Sequence, residues 1–213
     1  MSSVVVTGEK NIAFVHNPKV AGMSIKSWLI SNRKNSTYQE FDLKVTFNDL
    51  KNTVDNLPFS FSIVRNPWDR MVSGYYELRR WYDNPGKASQ DNLNFVRDYF
   101  NRSPFPSFDQ FMNEFPQDEM WPVLYPTLSP YPATWPKGAV TQKQYVDGVD
   151  LVLRYENITE DFKQIQKIYD CDISLPMINT SENSNYRSYY NDNTKAIVES
   201  FFQEDIDTFR YSF

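Results

Sequence analysis

Ile12-Ala13-Phe14-Val15 is a short unbroken apolar run, the pattern of a strand covered on both faces. From Ser24 the pattern changes, and Ile25, Trp28 and Leu29 fall on one face of a helix. Phe59, Phe61 and Ile63 alternate with polar residues and lead into Val64, which predicts a second strand. Pro67 suits a first helical turn, and Met71, Val72, Tyr75 and Leu78 carry a helical face to about Tyr82. A third strand is predicted over Asp150–Tyr155, then a helix marked by Phe162, Ile165 and Ile168. A last helix is predicted with Asp192 or Asn193 as its cap and with Ile197, Val198, Phe201 and Phe202 buried.

Strands alternating with helices imply an α/β fold with a central parallel β-sheet flanked by helices. The expected organisation is a single domain over residues 1–213. Ligands in such sheets sit beyond the carboxyl ends of the strands. Two of those ends carry a cation here: Lys19 follows the first predicted strand and Arg65 the second. The stretch 103–137 departs from the pattern. Its prolines, from Pro104 to Pro136, forbid much regular structure, yet it is dense in aromatic residues. It reads as an ordered insertion packed on the sheet domain, with no internal repeat.

Composition narrows the function classes. With 22 basic and 27 acidic residues the net charge is −5, the wrong sign for a general nucleic-acid binder. Aromatic residues make up 16% of the 213, too many large apolar side chains for a disordered chain. One cysteine, Cys171, and one histidine, His16, rule out an intrachain disulfide and argue against a structural zinc site. The chain carries no signal-peptide pattern and no apolar run near the ~18 residues of a membrane span. A cytoplasmic location is expected, and the four Asn-x-Ser/Thr triplets then read as chance matches.

The chemistry concentrates in two turns. In "FVHNPKVAGMSIKSWL" (residues 14–29) an apolar strand passes through Gly22 into a helix. Glycine permits a tight turn and close approach to a ligand. The following amides open a helix at the positive end of its dipole, Ser24 adds a hydroxyl, and Lys19 adds a full charge. An ordinary strand–helix turn with a solvent-facing lysine is the alternative. The lysine precedes the glycine, whereas the common nucleotide loop ends in Gly-Lys-Ser/Thr. In "SIVRNPWDRMVSGYY" (residues 62–76) Arg65 closes a strand, and Ser73 follows about two turns into the next helix. The planar guanidinium suits a phosphate, and the serine hydroxyl could share it. Alternatively, Arg65 pairs a carboxylate and Ser73 is a small residue at a packing contact.

Together these stretches resemble a known family. Pro18-Lys19-Val20-Ala21-Gly22-Met23-Ser24 resembles the 5′-phosphosulfate loop of sulfotransferases, especially the carbohydrate type, usually Pro-Lys-Thr-Ala-Gly-Thr-Ser. Arg65-Asn66-Pro67-Trp68-Asp69-Arg70-Met71-Val72-Ser73-Gly74-Tyr75 resembles their 3′-phosphate motif, Arg-x-Pro-x-x-Arg-x-x-Ser-x-Tyr. The stretches 149–165 and 186–213 also read like later parts of that family, while the 103–137 insertion does not. The resemblance implies a P-loop nucleotide-hydrolase-like sulfotransferase fold. It implies sulfuryl transfer from 3′-phosphoadenosine 5′-phosphosulfate to a hydroxyl or amine acceptor, a small molecule or carbohydrate, without a metal. Lys19 and the amides of Ala21, Gly22, Met23 and Ser24 would hold the 5′ phosphate and the sulfuryl group. Arg65 and Ser73 would hold the 3′ phosphate, and Arg187 in "NYRSYY" would reach the donor's phosphates or adenine. Lys19 would also stabilise the leaving oxygen. Met23 stands where threonine is usual, which keeps an amide but removes a hydroxyl contact.

An acceptor hydroxyl must lose a proton. His16 is the catalytic candidate for that step, with shaping of the turn as its other reading. Glu40 and Asp42 are alternatives if their run forms the strand beside the first, and Glu156 is a third. Trp121, Tyr125, Tyr131 and Trp135 could stack on sugar rings or pack on one another. Arg70 would pair Asp69 or an acid of the tail, and Arg79 and Arg80 would face solvent. Two other functions fit an α/β sheet with a basic pocket: a nucleotide-dependent phosphotransferase, and a nucleotide-binding module without catalysis.

Overall fold

The computed structural model describes residues 3–41, 45–84, 86, 105–114, 141–178 and 185–213. In chain order its elements are β1 (Ser3–Thr7), β2 (Ile12–Phe14), α1 (Gly22–Asn32), β3 (Thr37–Phe41), α2 (Phe47–Thr53), β4 (Ser60–Val64) and α3 (Pro67–Asp83). There follow α4 (Phe108–Glu114), α5 (Gln142–Val146), β5 (Leu151–Arg154), α6 (Ile158–Ile168), α7 (Asp192–Phe201) and α8 (Gln203–Phe209). Two compact units emerge. One comprises Met1–Arg65 with Val140–Ser181, the other Asn66–Ala139 with Glu182–Phe213.

The first unit holds the sheet, in strand order β3-β1-β2-β4-β5. The three strands expected to be parallel are so: β2 pairs β4, and β4 pairs β5. The sheet as a whole is mixed, because β1 runs antiparallel to both β2 and β3. The reason is local. β1 and β2 are joined by residues 8–11 alone, too few for a parallel crossover. Gly8 takes φ 133° there, and Asn11 closes the turn by donating to the Gly8 carbonyl at 2.9 Å and accepting from its N–H at 3.2 Å.

Alternation along the strands sends side chains to two covered faces. Val4, Val6, Ile12 and Phe14 face α1 and α6, packing with Ile25, Trp28, Leu29, Phe162 and Ile165. Val5, Ala13 and Val15 face α2, packing with Phe47 and Leu50. Hydroxyl bonds fix the register: Ser62 donates to the Val15 carbonyl at 2.7 Å, and Ser60 to Asp150 at 2.7 Å.

The second unit is built on α3. Pro67 occupies its first turn, and the Asn66 side chain caps it by accepting from the N–H of Trp68 and Asp69. Its buried face (Trp68, Arg70, Met71, Tyr75, Leu78 and Trp81) follows the helical period. Tyr75 donates to the Pro106 carbonyl at 2.8 Å and meets the rings of Phe105, Phe108 and Phe111. The described part of the proline-rich insertion therefore packs on α3. Trp121, Tyr125, Tyr131 and Trp135 lie outside the described residues.

The last helical segment also differs in detail. Asn191 is the cap, one residue before the earlier of the two expected ones, and it forms a capping box with Thr194. Val198 and Phe202 are buried as expected, while Ile197 and Phe201 are only partly so. Tyr190 donates to the Trp68 carbonyl at 2.7 Å, and burial holds its phenol well above the ordinary range.

Candidate functional site

The chain leaves β2 beside β4, and that junction is bonded tightly. The His16 N–H donates to Ser3 Oγ at 2.9 Å, and Asn17 Nδ2 to the Ile63 carbonyl at 3.0 Å. Beyond it the backbone is strained. Lys19 and Ala21 take φ values of 69° and 65°, left-handed conformations that glycine adopts freely and other residues rarely do. Each costs about 1–2 kcal/mol. Burying Ile25, Trp28 and Leu29 on the following helix stabilises by about 1.5–3 kcal/mol per side chain, which outweighs that cost.

Ala21 is the N-cap of α1 and brings no side-chain oxygen to the helix start. Its carbonyl accepts from the N–H of Ser24 at 3.0 Å and of Ile25 at 3.2 Å. A left-handed residue followed by a helical one turns successive N–H groups toward one concavity, an arrangement that suits an anion. Persistent strain in such a turn points to function rather than to folding.

Gly22 is constrained by packing as well as by its place in the turn. The left-handed positions belong to Lys19 and Ala21, and Gly22 has no positive φ. What requires glycine is His16: a Cβ at residue 22 would overlap the Nε2 and Cδ2 atoms of its ring. The imidazole is 1% exposed and leans on Phe14, with ring centroids 5.7 Å apart. It lies directly beneath the start of α1.

Arg65 follows β4, the parallel neighbour of β2, so the two basic turns leave the sheet side by side. Its Nη1 donates to the Lys19 carbonyl at 3.2 Å. Its guanidinium lies over the Tyr155 ring, 4.0 Å from the centroid, and the residue is 5% exposed. A stacked, largely buried guanidinium is pre-ordered, so little freedom is left to lose on meeting an anion.

The remaining sequence candidates are dispersed. Ser24 is buried, and its Oγ accepts from the Ile178 N–H at 3.1 Å, which leaves its own proton to donate. Met23, in the first turn of α1, is 40% exposed. Glu40 does not meet the condition of lying beside β2, because β1 lies between them, and it pairs with Lys26 at 2.6 Å. Asp42 lies outside the described residues. Glu156 is exposed in the turn after β5. Ser73 and Arg187 belong to the second unit, where the Arg187 guanidinium lies 4.7 Å from the Tyr186 ring centroid. Arg70 is buried in that unit and Arg80 is exposed, held near Glu77.

Three residues of the site escaped the sequence reading: Asn17, Gln142 and Tyr155. Thr141 and Gln144 form a capping box that reveals where α5 begins, but nothing local reveals what Gln142 bonds. Among the described residues no helix is long and apolar enough to cross a membrane. A family model described as "Sulfotransferase family" matches residues 2–212. No individual curated protein and no solved structure matches the chain significantly.

Proposed function

The chain belongs to the sulfotransferase family and is a sulfotransferase; on that premise we propose that its donor is 3′-phosphoadenosine 5′-phosphosulfate and its acceptor a carbohydrate hydroxyl or amine. The observation that carries this is the pairing of two basic turns at the ends of adjacent parallel strands, with Arg65 bonded to the Lys19 carbonyl. A donor with anionic groups on both sides of its ribose needs two such turns. A nucleoside triphosphate, whose phosphates form one tail, needs a single cradle.

The donor would supply the sulfuryl group, whose bond to the 5′ phosphate breaks as the acceptor oxygen or nitrogen bonds to sulfur. The strained turn at Lys19–Gly22 would hold the 5′ end by its amides, and Lys19 would offset charge growing on the departing oxygen. Ser24 would donate its remaining proton to the same group. Arg65 would hold the 3′ phosphate. The motif alone assigns Ser73 to that phosphate and Arg187 to the donor's phosphates or adenine. His16, buried under Gly22, would act by shaping the loop rather than by meeting the acceptor. Threonine at position 23 would add one hydroxyl bond, so Met23 weakens the grip on the 5′ end without removing it.

The test is transfer of labelled sulfate from this donor across sugars, amines, phenols and tyrosine peptides. Label on a sugar hydroxyl or amine is the expected result. Label confined to phenols or peptides would overturn the acceptor class. Donor-product binding without transfer to anything in the screen would contradict the carbohydrate assignment and favour a binding role.

A further inference from the structure

Gln142 opens α5 and is completely buried. A buried primary amide is costly unless its donors and acceptor are used. Here the acceptor and one donor meet the two basic turns. Oε1 accepts from the Arg65 N–H at 2.9 Å and from Asn17 Nδ2 at 3.0 Å. Nε2 donates to the Arg65 carbonyl at 2.8 Å. The amide thus holds both backbone groups of Arg65, as a neighbouring strand would, just where β4 has ended. The same oxygen holds Asn17, two residues before Lys19. Asn17 also donates to the Ile63 carbonyl, so its amide hydrogens bridge β4 and Gln142.

We propose that Gln142 is a positioning residue: it sets the separation between the Lys19 turn and Arg65, and so the span over which a doubly anionic ligand is gripped. The proposal rests on the donor assignment above. Glutamine meets three demands at once. It reaches from α5 to both turns, it accepts two N–H groups, and it donates to a carbonyl. Glutamate keeps the length and the acceptor but sets an oxygen against the Arg65 carbonyl. Methionine keeps the volume and removes every bond. Neither substitution touches Lys19 or the Arg65 guanidinium.

The test compares two ligands on wild-type protein and on Gln142→Glu and Gln142→Met. Adenosine 3′,5′-bisphosphate spans both turns, while adenosine 5′-monophosphate engages only one. Each Kd is measured by calorimetry, with the melting temperature recorded alongside. Both variants should bind the bisphosphate about tenfold or more weakly and the monophosphate within about twofold of wild type. Equal weakening of both ligands would mean that Gln142 only supports the fold, and unchanged binding of both would overturn the proposal outright. If both variants fail to fold, Asn17→Ser, which removes both bonds of the Asn17 amide and leaves the Gln142–Arg65 pair, must show the same selective loss. A wild-type protein that does not prefer the bisphosphate would refute the donor assignment instead, and the two failures are therefore distinct.

Discussion

Lys19→Ala is expected to lower sulfuryl transfer by about 10²–10³-fold, the usual cost of removing one donor aimed at developing negative charge. The fold barely responds. Lysine and alanine both carry a Cβ, so the left-handed conformation at φ 69° costs them alike. The side chain is only partly buried and belongs to none of the apolar clusters. The loss should fall on kcat more than on affinity for the donor's product, because charge on the departing oxygen is fullest in the transition state. Steady-state kinetics with any acceptor the enzyme uses, beside calorimetry with adenosine 3′,5′-bisphosphate, separates the two. Turnover within a few-fold of wild type would remove Lys19 from the chemistry.

Gly22→Ala damages the protein through His16. The added methyl would occupy the space of the imidazole, which is enclosed by Phe14 and fixed through its backbone to Ser3. Overpacking of this kind costs about 1–3 kcal/mol, or roughly 2–12 °C in melting temperature for a chain of this size. His16→Ala makes room, so the double variant should lose less stability than the sum of the two single losses. Thermal melts of the four proteins decide it. Strictly additive losses would show that glycine is needed for its backbone rather than for the ring beneath it.

Most of the secondary structure around the sheet and along α3 was legible where burial imposes a period. β2, β4 and β5 carry apolar residues on covered faces, and α1, α3 and α6 carry them at helical spacing, so their pattern survives in one dimension. β3 did not announce itself as a neighbour of β1. Its residues Thr37–Phe41 are exposed or half-exposed, and an edge strand is defined by its pairing rather than by hydrophobicity. β1 was likewise not foreseen, and its direction follows from a link of only residues 8–11. The site divides in the same way. Lys19, Ser24 and Arg65 stand in motifs with fixed spacing. Gln142 lies 77 residues from Arg65 in sequence, and an amide's partners at that distance leave no local trace. Gly22 drew attention as the glycine of a tight turn, whereas the packing of His16 against it leaves no trace in the local sequence.

The most direct measurement of the central claim, that these two turns hold a donor phosphorylated at both ends of its ribose, is a calorimetric titration of the wild-type protein. Adenosine 3′,5′-bisphosphate and ATP with magnesium are compared under the same conditions. The bisphosphate should bind clearly more tightly, and Lys19 and Arg65 substitutions should each weaken it. Equal or tighter binding of ATP with magnesium would contradict the donor assignment.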